Sequence, residues 1–252
     1  MIKANRVIKK YGEKKVVDDV SIELPKGKFI AFIGSNGAGK STLISIMSRI
    51  LEKTSGNVSI DDKEILEWDN NKLSRRLSIL NQSNYLNIRL TVHELVSFGR
   101  FPYSQDKLTD VDKKHVDDAI AYLELNEFEN SYLDELSGGQ RQMAYIAMVI
   151  AQDTEYVFLD EPLNNLDMKH SVQIMKALRK MVDELNKTIM VVIHDINFVS
   201  CYADYIVAMK KGKVIKEGKA EEIINKDVLS QVYGMDIDVQ SINGKSICLY
   251  YS

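Results

Sequence analysis

The sequence predicts an α/β fold in which helices cover a parallel sheet. Three apolar runs of strand length, Phe29–Ile33, Tyr156–Leu159 and Met190–Ile193, are each bounded by turn or polar residues. Such runs are typical of strands that are buried on both faces. Helical patterns lie between and after them, at 42–51, at about 139–151 and at 169–185. This alternation of strands and helices indicates the α/β class.

The two ends of the chain and its middle have different patterns. The first 26 residues contain short β-type pieces at 7–9, 16–17 and 20–24, which predict a small, mostly antiparallel N-terminal sheet. Residues from roughly 86 to 155 are mainly helical by periodicity, so we expect a helical subdomain there. Turn signals at Lys211-Gly212 and Asn243-Gly244 predict a C-terminal β-containing appendage over roughly 205–252. We expect all of these parts to form one domain, 1–252.

Composition and charge exclude several classes of protein. The 252 residues include 33 Lys and Arg against 36 Asp and Glu, a net charge of −3, so we expect no nucleic-acid partner. The longest unbroken apolar run, Met143–Ala151, has nine residues, whereas a membrane-spanning helix needs about 20. The N-terminus has no apolar core of the kind found in secretory signals. Cys201 and Cys248 are too few for a disulfide framework, and we expect a reducing cytosol.

A phosphate-binding motif follows the first buried strand. Residues 34–42, GSNGAGKST, fit the pattern G-x-x-x-x-G-K-[ST] between a strand and a helix. Its glycines allow backbone N–H groups to point at phosphate oxygens, and the helix N-terminus adds positive partial charge. Lys40 would place its ammonium at the β- and γ-phosphates, and the Ser41 hydroxyl would bind Mg²⁺. The predicted nucleotide-binding residues here are Gly34, Ser35, Asn36, Gly37, Ala38, Gly39, Lys40, Ser41 and Thr42.

Two adjacent acids end the second buried strand. Asp160 and Glu161 follow the apolar run Tyr156–Leu159, and ligands of open α/β sheets bind beyond the carboxyl ends of the strands. We expect Asp160 to contribute to the Mg²⁺ site. We expect Glu161 to polarise the water that attacks the γ-phosphate, as a general base. An acid at this position favours hydrolysis over nucleotide binding alone.

A third motif, Leu136-Ser137-Gly138-Gly139-Gln140, precedes a long helical pattern. Ser137 is a good helix N-cap and the two glycines expose backbone N–H groups, so this is a second anion receptor. Together, the three motifs make the chain resemble an ATP-binding-cassette (ABC) ATPase over essentially its whole length. The resemblance implies a P-loop core, an N-terminal antiparallel β subdomain and a helical subdomain. It also implies a homodimer in which residues 137–140 of each cassette close over the ATP held by the other.

The same resemblance assigns roles to four further residues. It implies that Tyr11 stacks on adenine and that Gln82 reaches Mg²⁺ and the attacking water. Asp167 lies in the loop that crosses the dimer interface, and His194 contacts the γ-phosphate.

Other positions differ from the family pattern or stay without a role. Ser35 and Leu163 depart from the usual residues, and neither departure removes a phosphate donor or a metal ligand. The other histidines, 93, 115 and 170, we interpret as surface or packing residues.

The branch of the family is indicated by a stretch after Gln82. Residues 91–103, TVHELVSFGRFPY, are similar to importers of iron chelates and vitamin B12, as are the residues that follow His194. The resemblance implies an ATP-hydrolysing subunit that powers uptake of an iron–siderophore complex. Its partners would be integral-membrane permease subunits and, indirectly, a substrate-binding lipoprotein, and it would lie peripherally on the cytoplasmic side of the cell membrane. We expect residues 86–103 to form the docking groove for the permease, with apolar surface from Leu90, Val92, Leu95, Val96, Phe98 and Phe101.

Two alternatives remain open. The chain could energise an ABC exporter, or it could be a non-transport module that uses ATP only to dimerise. Glu161 and His194 argue against the second, because both indicate hydrolysis.

Overall fold

The computed structural model describes residues 1–81, 88–104 and 107–250. The chain forms two compact units, one made of Met1–Trp68 with Thr188–Ser252 and the other of Asp69–Lys187. The strands are β1 (Ile2–Tyr11), β2 (Lys14–Leu24), β3 (Phe29–Ile33), β4 (Ser55–Ile60), β5 (Lys63–Glu64), β6 (Leu77–Leu80), β7 (Tyr156–Asp160), β8 (Thr188–Val192), β9 (Tyr205–Lys210), β10 (Lys213–Lys219), β11 (Asp238–Ile242) and β12 (Lys245–Leu249). The helices are α1 (Lys40–Met47), α2 (Asn70–Ser74), α3 (Val92–Ser97), α4 (Phe101–Ser104), α5 (Asp110–Tyr122), α6 (Gly138–Ala151), α7 (Met168–Leu185), α8 (Ile196–Tyr202), α9 (Ala220–Ile223) and α10 (Lys226–Tyr233).

The first unit contains the predicted N-terminal antiparallel sheet, with strand order β2-β1-β4-β5. Its two long strands were predicted as shorter pieces because each is interrupted by a bulge. Arg6 in β1 and Asp19 in β2 have positive φ, 49° and 55°, and the pairing register shifts between Ala4 and Val7. An extra residue at a bulge breaks the apolar–polar alternation that marks a strand in a sequence.

A second sheet in this unit is built on the predicted buried strands. β3 pairs in parallel with β8 on one side and with β9 on the other, and β10 pairs antiparallel with β9. Every residue of β3 and β8 is buried, which confirms the interpretation of continuous apolar runs as strands covered on both faces.

The C-terminal region differs in one respect from the expected appendage. β9 begins at Tyr205, and both β9 and β10 belong to the same sheet as β3, whereas β11 and β12 form a separate hairpin. The two predicted turns do connect antiparallel pairs, β9–β10 and β11–β12. The side chain of Asn197 in α8 bonds the backbone N–H and C=O of Cys248 in β12, at 2.8 and 3.3 Å, which attaches the last hairpin to α8.

In its described residues, the second unit contains two parallel strands, β6 and β7, and the helices α2–α7. Its described residues from 88 to 155 contain α3–α6, as the periodicity predicts. α7 is strongly amphipathic, with Ser171, Ile174, Met175, Leu178, Met181 and Val182 buried on one face. No helix in 1–81, 88–104 or 107–250 is long and apolar enough to cross a membrane.

Most of the apolar residues expected in a docking groove are core residues. Leu90, Val92, Leu95 and Val96 are at most 8% exposed, because they form the inner face of α3 and the turn before it. Phe98 and Phe101 are 50% and 59% exposed. Helical periodicity marks an apolar face without showing whether that face packs inside the unit or outside it.

A buried ion pair connects α5 to the segment after α3. The Arg100 guanidinium donates to Asp112 at 2.9 Å and to the carbonyl of Ala151 at 2.7 Å, and Arg100 and Asp112 are each 3% exposed. Burial raises the pKa of the Asp112 carboxyl, but hydrogen bonds from Thr109 and the charge of Arg100 outweigh it and lower the pKa from 3.8 to about 2. Asp112 therefore caps α5 through Thr109 and compensates a buried cation at the same time.

We predict that Asp112→Asn lowers the free energy of unfolding by about 3–5 kcal/mol at neutral pH, because it leaves the Arg100 charge buried without a counter-ion. Because the pKa is lower in the folded state, the stabilisation is present above pH ~4 and is lost as the pH falls toward ~2. Urea unfolding at several pH values measures this difference. Asp110→Asn on the same helix, where the side chain is 98% exposed, is the matched control. Equal stability of the two variants at neutral pH would contradict the prediction.

Candidate nucleotide-binding site

The phosphate loop lies between β3 and α1, as its motif requires. Lys40 is the first residue of α1 and is 4% exposed. Its ammonium donates to the carbonyl oxygens of Gly34 at 2.8 Å and Ser35 at 3.1 Å. The loop therefore curls around the lysine, and its own carbonyl groups solvate the buried charge.

Two glycines permit the close approach of other backbone segments to this loop. Gly34 has φ 141°, and a Cβ atom there would lie 2.1 Å from the carbonyl oxygen of Met209 in β9. Gly39 has φ 99°, and its Cβ would lie 2.5 Å from the carbonyl oxygen of Val16 in β2. Both distances are shorter than real Cβ contacts, so any side chain would push the loop away from these strands.

Backbone hydrogen bonds attach the same loop to the turn between β9 and β10. The N–H of Gly212 donates to the carbonyl of Ala38 at 2.9 Å, and the carbonyl of Gly212 accepts from the N–H of Asp18 at 2.8 Å. The loop, the turn and β2 are thus connected through main-chain groups.

The N-terminus of α1 fits an anion. In the described part of the chain, the four other helices of eight or more residues begin with a side-chain cap: Thr109, Ser137, Asp167 and Asn225. α1 begins with Gly39, has no side-chain cap and has no acidic residue in its first turn. The first-turn N–H groups of a helix have no acceptor within the helix, and they carry positive partial charge. A phosphate group would satisfy them.

Two other predicted residues of the first unit have positions consistent with this site. His194 is exposed and follows β8, whose neighbour β3 leads into the phosphate loop. Since Ile193 donates to the carbonyl of Phe32 at 3.4 Å, the two strands end at the same edge. Tyr11 ends β1 with its ring 54% exposed, and the Lys9 ammonium lies 5.2 Å from the ring centroid.

The second unit holds the two adjacent acids. Asp160 is the last residue of β7 and is half-buried. Glu161 follows with φ 51°, in the left-handed region of backbone conformation. Residues other than glycine adopt this region at a cost in conformational energy. The amide of Asn164 donates to the Glu161 carboxylate, and the Asn164 N–H donates to the Glu161 carbonyl at 3.2 Å. The local turn therefore orients the Glu161 side chain.

The third motif begins α6, as predicted. Ser137 is the N-cap, its hydroxyl accepts from the Gln140 N–H at 3.3 Å, and the Gln140 side chain accepts from the Ser137 N–H at 2.9 Å. This reciprocal pair is a capping box. A Cβ on Gly138 would lie in ordinary contact, 3.9 Å from Leu166, whereas a Cβ on Gly139 would lie 2.2 Å from the ring of His170.

His170 connects this motif to the loop that contains Asp167. Asp167 is the N-cap of α7 and accepts from the His170 N–H at 2.8 Å, and its carboxylate lies 2.9 Å from Nδ1 of the ring. These hydrogen bonds lower the pKa of Asp167. The ring of His170 is thus placed between Gly139 and Asp167, so it is a packing residue as interpreted, although the sequence did not identify these two contacts. The signal was available, because His170 lies three residues after an Asp that could cap the helix.

The predicted site residues fall into two sets, one in each unit. The first unit contains Tyr11, residues 34–42 and His194, and the second contains Asp160, Glu161, residues 137–140 and Asp167. Gln82, predicted as a catalytic residue and metal ligand, lies outside the described residues. The roles of all these residues stay predictions.

The chain was compared with known protein families and with solved structures. The family model for ABC transporters matches residues 17–164. The petrobactin import ATP-binding protein YclP of Bacillus subtilis (strain 168) is 56% identical over 252 residues, covering 100% of both chains. The chain belongs to the ABC transporter family.

Other relatives agree with this assignment. The petrobactin import ATP-binding protein FatE of Bacillus anthracis is 46% identical, covering 95% of this chain and 96% of its own. A dimeric post-hydrolysis structure of the ATP-binding cassette MJ0796, bound to ADP and Pi, is 30% identical with a TM-score of 0.77, covering 87% of this chain and 99% of that one. The predicted fold class, the ABC ATPase cassette, is confirmed.

We predict that Gly139→Ala destabilises the cassette by about 1–3 kcal/mol, because the new methyl group overlaps the His170 ring. Gly138→Ala is the matched control, and since Ala is the better helix former it is expected to be neutral or slightly stabilising. Thermal or urea unfolding measures both. Adding His170→Ala to Gly139→Ala removes the overlap, so the double variant is expected to be no less stable than Gly139→Ala alone. An additive loss would show that the two residues do not interact.

Proposed function

We propose that this chain is the ATP-hydrolysing subunit of an importer for iron–siderophore complexes. The observation that carries the proposal is its full-length, 56% identity with a petrobactin import ATP-binding protein. The N-terminus of α1, which has no side-chain cap, together with the buried Lys40 supplies the chemistry for binding the nucleotide phosphates. We further propose that residues 1–252 act as one cassette.

The phosphate loop would bind the β- and γ-phosphates. Lys40 would exchange the two loop carbonyls for phosphate oxygens, which are stronger acceptors for an ammonium. Residues 34–42 would supply backbone N–H groups, and Tyr11 would stack its exposed ring on adenine. ATP is the nucleotide that the family implies.

Mg²⁺ would be held by oxygen ligands, which are the ligands it prefers. Ser41 at the start of α1 and Asp160 at the carboxyl end of β7 have suitable groups, and Gln82 is the third proposed ligand. The ion would neutralise charge on the phosphates as the γ-phosphate leaves.

Hydrolysis would depend on Glu161 and His194. Glu161 would accept a proton from the attacking water, and its orientation by Asn164 supports this role. His194 would contact the γ-phosphate from the end of β8.

The active form would be a homodimer that encloses two ATP molecules. Residues 137–140 would contact the γ-phosphate bound by the partner cassette, and Asp167 would lie in the loop at the interface. The dimeric structure of the related cassette MJ0796 supports this assembly.

The partners in the membrane would be permease subunits, with a substrate-binding lipoprotein acting indirectly. The cassette would therefore lie peripherally on the cytoplasmic side of the membrane. Among the described residues of the proposed docking segment, 88–103, Ile88, Phe98 and Phe101 expose apolar surface that a permease could contact.

We predict that Glu161→Gln lowers ATP turnover by about 100-fold or more, because general-base catalysis contributes on that scale, while ATP binding persists. The variant is expected to accumulate as an ATP-bound dimer in size-exclusion chromatography. Lys40→Ala is expected to bind ATP poorly and to stay monomeric with ATP. Normal phosphate release by Glu161→Gln would show that the base is another residue.

We predict that deleting the gene abolishes uptake of radiolabelled ferric petrobactin, the substrate class named for the relatives. If the wild-type gene restores uptake and the Glu161→Gln gene does not, uptake depends on ATP hydrolysis. Retained uptake together with an export defect would favour the exporter alternative. If the deletion strain keeps wild-type uptake and no membrane protein copurifies with the chain, the dimerising module would be favoured.

A further inference from the structure

Three side chains of the second unit converge on its surface, in a place that the nucleotide site does not use. They are His93, Asp117 and Glu129, and their ligand atoms all lie within 4.8 Å of one another. His93 and Glu129 are half-buried and Asp117 is exposed. The set offers one imidazole nitrogen and two carboxylates, which is a set of donors suited to a metal ion.

Backbone hydrogen bonds fix two of these residues relative to each other. The N–H of His93 donates to the carbonyl of Glu129 at 3.0 Å, and the neighbouring Val92 N–H donates to the carbonyl of Ser131 at 3.0 Å. Thr91 caps α3 in a capping box with Glu94, so the helix turn that carries His93 is itself held.

The third residue is held by the packing of its helix. Asp117 lies on α5 next to Val116, which is fully buried, and three residues before Ile120, which is 1% exposed. The three donors therefore come from three separate stretches of chain that are each fixed by capping, hydrogen bonding or core packing. The backbone at each donor is therefore held in place, and only the side chains need to be ordered when an ion binds.

Apart from an electrostatic interaction between His93 and Glu94, the described residues give these donor atoms no other partner. In 1–81, 88–104 and 107–250, none of the three side chains takes part in a hydrogen bond or an ion pair. Two carboxylates at this separation repel each other, and a cation between them would remove the repulsion. Ligands of one ion lie roughly 3–3.5 Å apart when the metal–ligand bonds are about 2.0–2.2 Å, so the side chains need to close by about 1 Å.

We propose that His93, Asp117 and Glu129 form a binding site for a divalent first-row transition-metal ion. The imidazole nitrogen favours such ions over Mg²⁺ and Ca²⁺, which prefer oxygen ligands alone. Two carboxylates compensate the charge of the ion, and water completes its coordination. The bound ion connects α3, α5 and the turn at Glu129.

Zn²⁺ is the probe, titrated into the full chain after treatment with a chelator, with nucleotide absent. Calorimetry is expected to show a site of micromolar affinity that millimolar Mg²⁺ does not displace. His93→Ala and Asp117→Asn are each expected to weaken this site by about tenfold or more. His115→Ala, on α5 and outside the cluster, is the matched control and is expected to bind Zn²⁺ as the wild type does.

Thermal unfolding gives an independent readout. Zn²⁺ is expected to raise the unfolding temperature of the wild type and of His115→Ala, but not of His93→Ala, because binding to the folded state stabilises it. Without metal, all these chains are expected to unfold at similar temperatures. If His93→Ala folds poorly, Glu129→Gln replaces it. The proposal is overturned if Zn²⁺ binds no site more tightly than about 100 µM. It is also overturned if the wild type, His93→Ala and Glu129→Gln bind Zn²⁺ equally well.

Discussion

The close backbone approach at Gly34 and Gly39 is the constraint on which the phosphate loop depends. The loop touches the carbonyl of Met209 in β9 and that of Val16 in β2, and it accepts a hydrogen bond from Gly212 in the turn after β9. A parallel sheet, an antiparallel sheet and a hairpin turn therefore meet at one loop through main-chain atoms. Since main-chain atoms have little freedom once their strands are paired, the N–H groups that would receive phosphate are held in place before any nucleotide arrives.

The second unit contains a comparable close contact, between Gly139 and the ring of His170. Gly139 leaves space for the His170 ring, and the ring is held by Asp167 at the start of α7. The N-terminus of α6 and the N-terminus of α7 are thus positioned by one side chain between them. Because both segments would face the partner cassette, a shift of either one would be transmitted to the other through His170.

Local patterns in the sequence predicted much of this architecture. The continuous apolar runs predicted β3, β7 and β8, and the motifs predicted where the helices α1 and α6 begin. The features that were missed depend on contacts between distant residues. Bulges at Arg6 and Asp19 hid the length of β1 and β2, and β9 joins the central sheet through pairing with β3 that no local pattern shows.

Buried polar contacts were missed for the same reason. Arg100 and Asp112 are charged residues of a kind that usually lies on the surface, and their burial depends on their mutual contact and on hydrogen bonds to Ala151 and Thr109. The packing contact between the half-buried His170 and Gly139 was not identified, because the glycine is 31 positions away in the sequence.

The two proposed anion receptors, the N-termini of α1 and α6, differ in their capping. α1 begins without a side-chain cap, and the proposal places a phosphate of the nucleotide bound by the same chain at this N-terminus. α6 begins with a capping box in which the N–H groups of Ser137 and Gln140 already have acceptors. Only the N–H groups between them, on Gly138 and Gly139, remain for a phosphate presented by another cassette. In the proposed roles, the first receptor would bind its ligand within a single chain, whereas the second, already capped, would contribute fewer donors. This asymmetry suits a cycle in which nucleotide stays bound while the dimer closes and reopens.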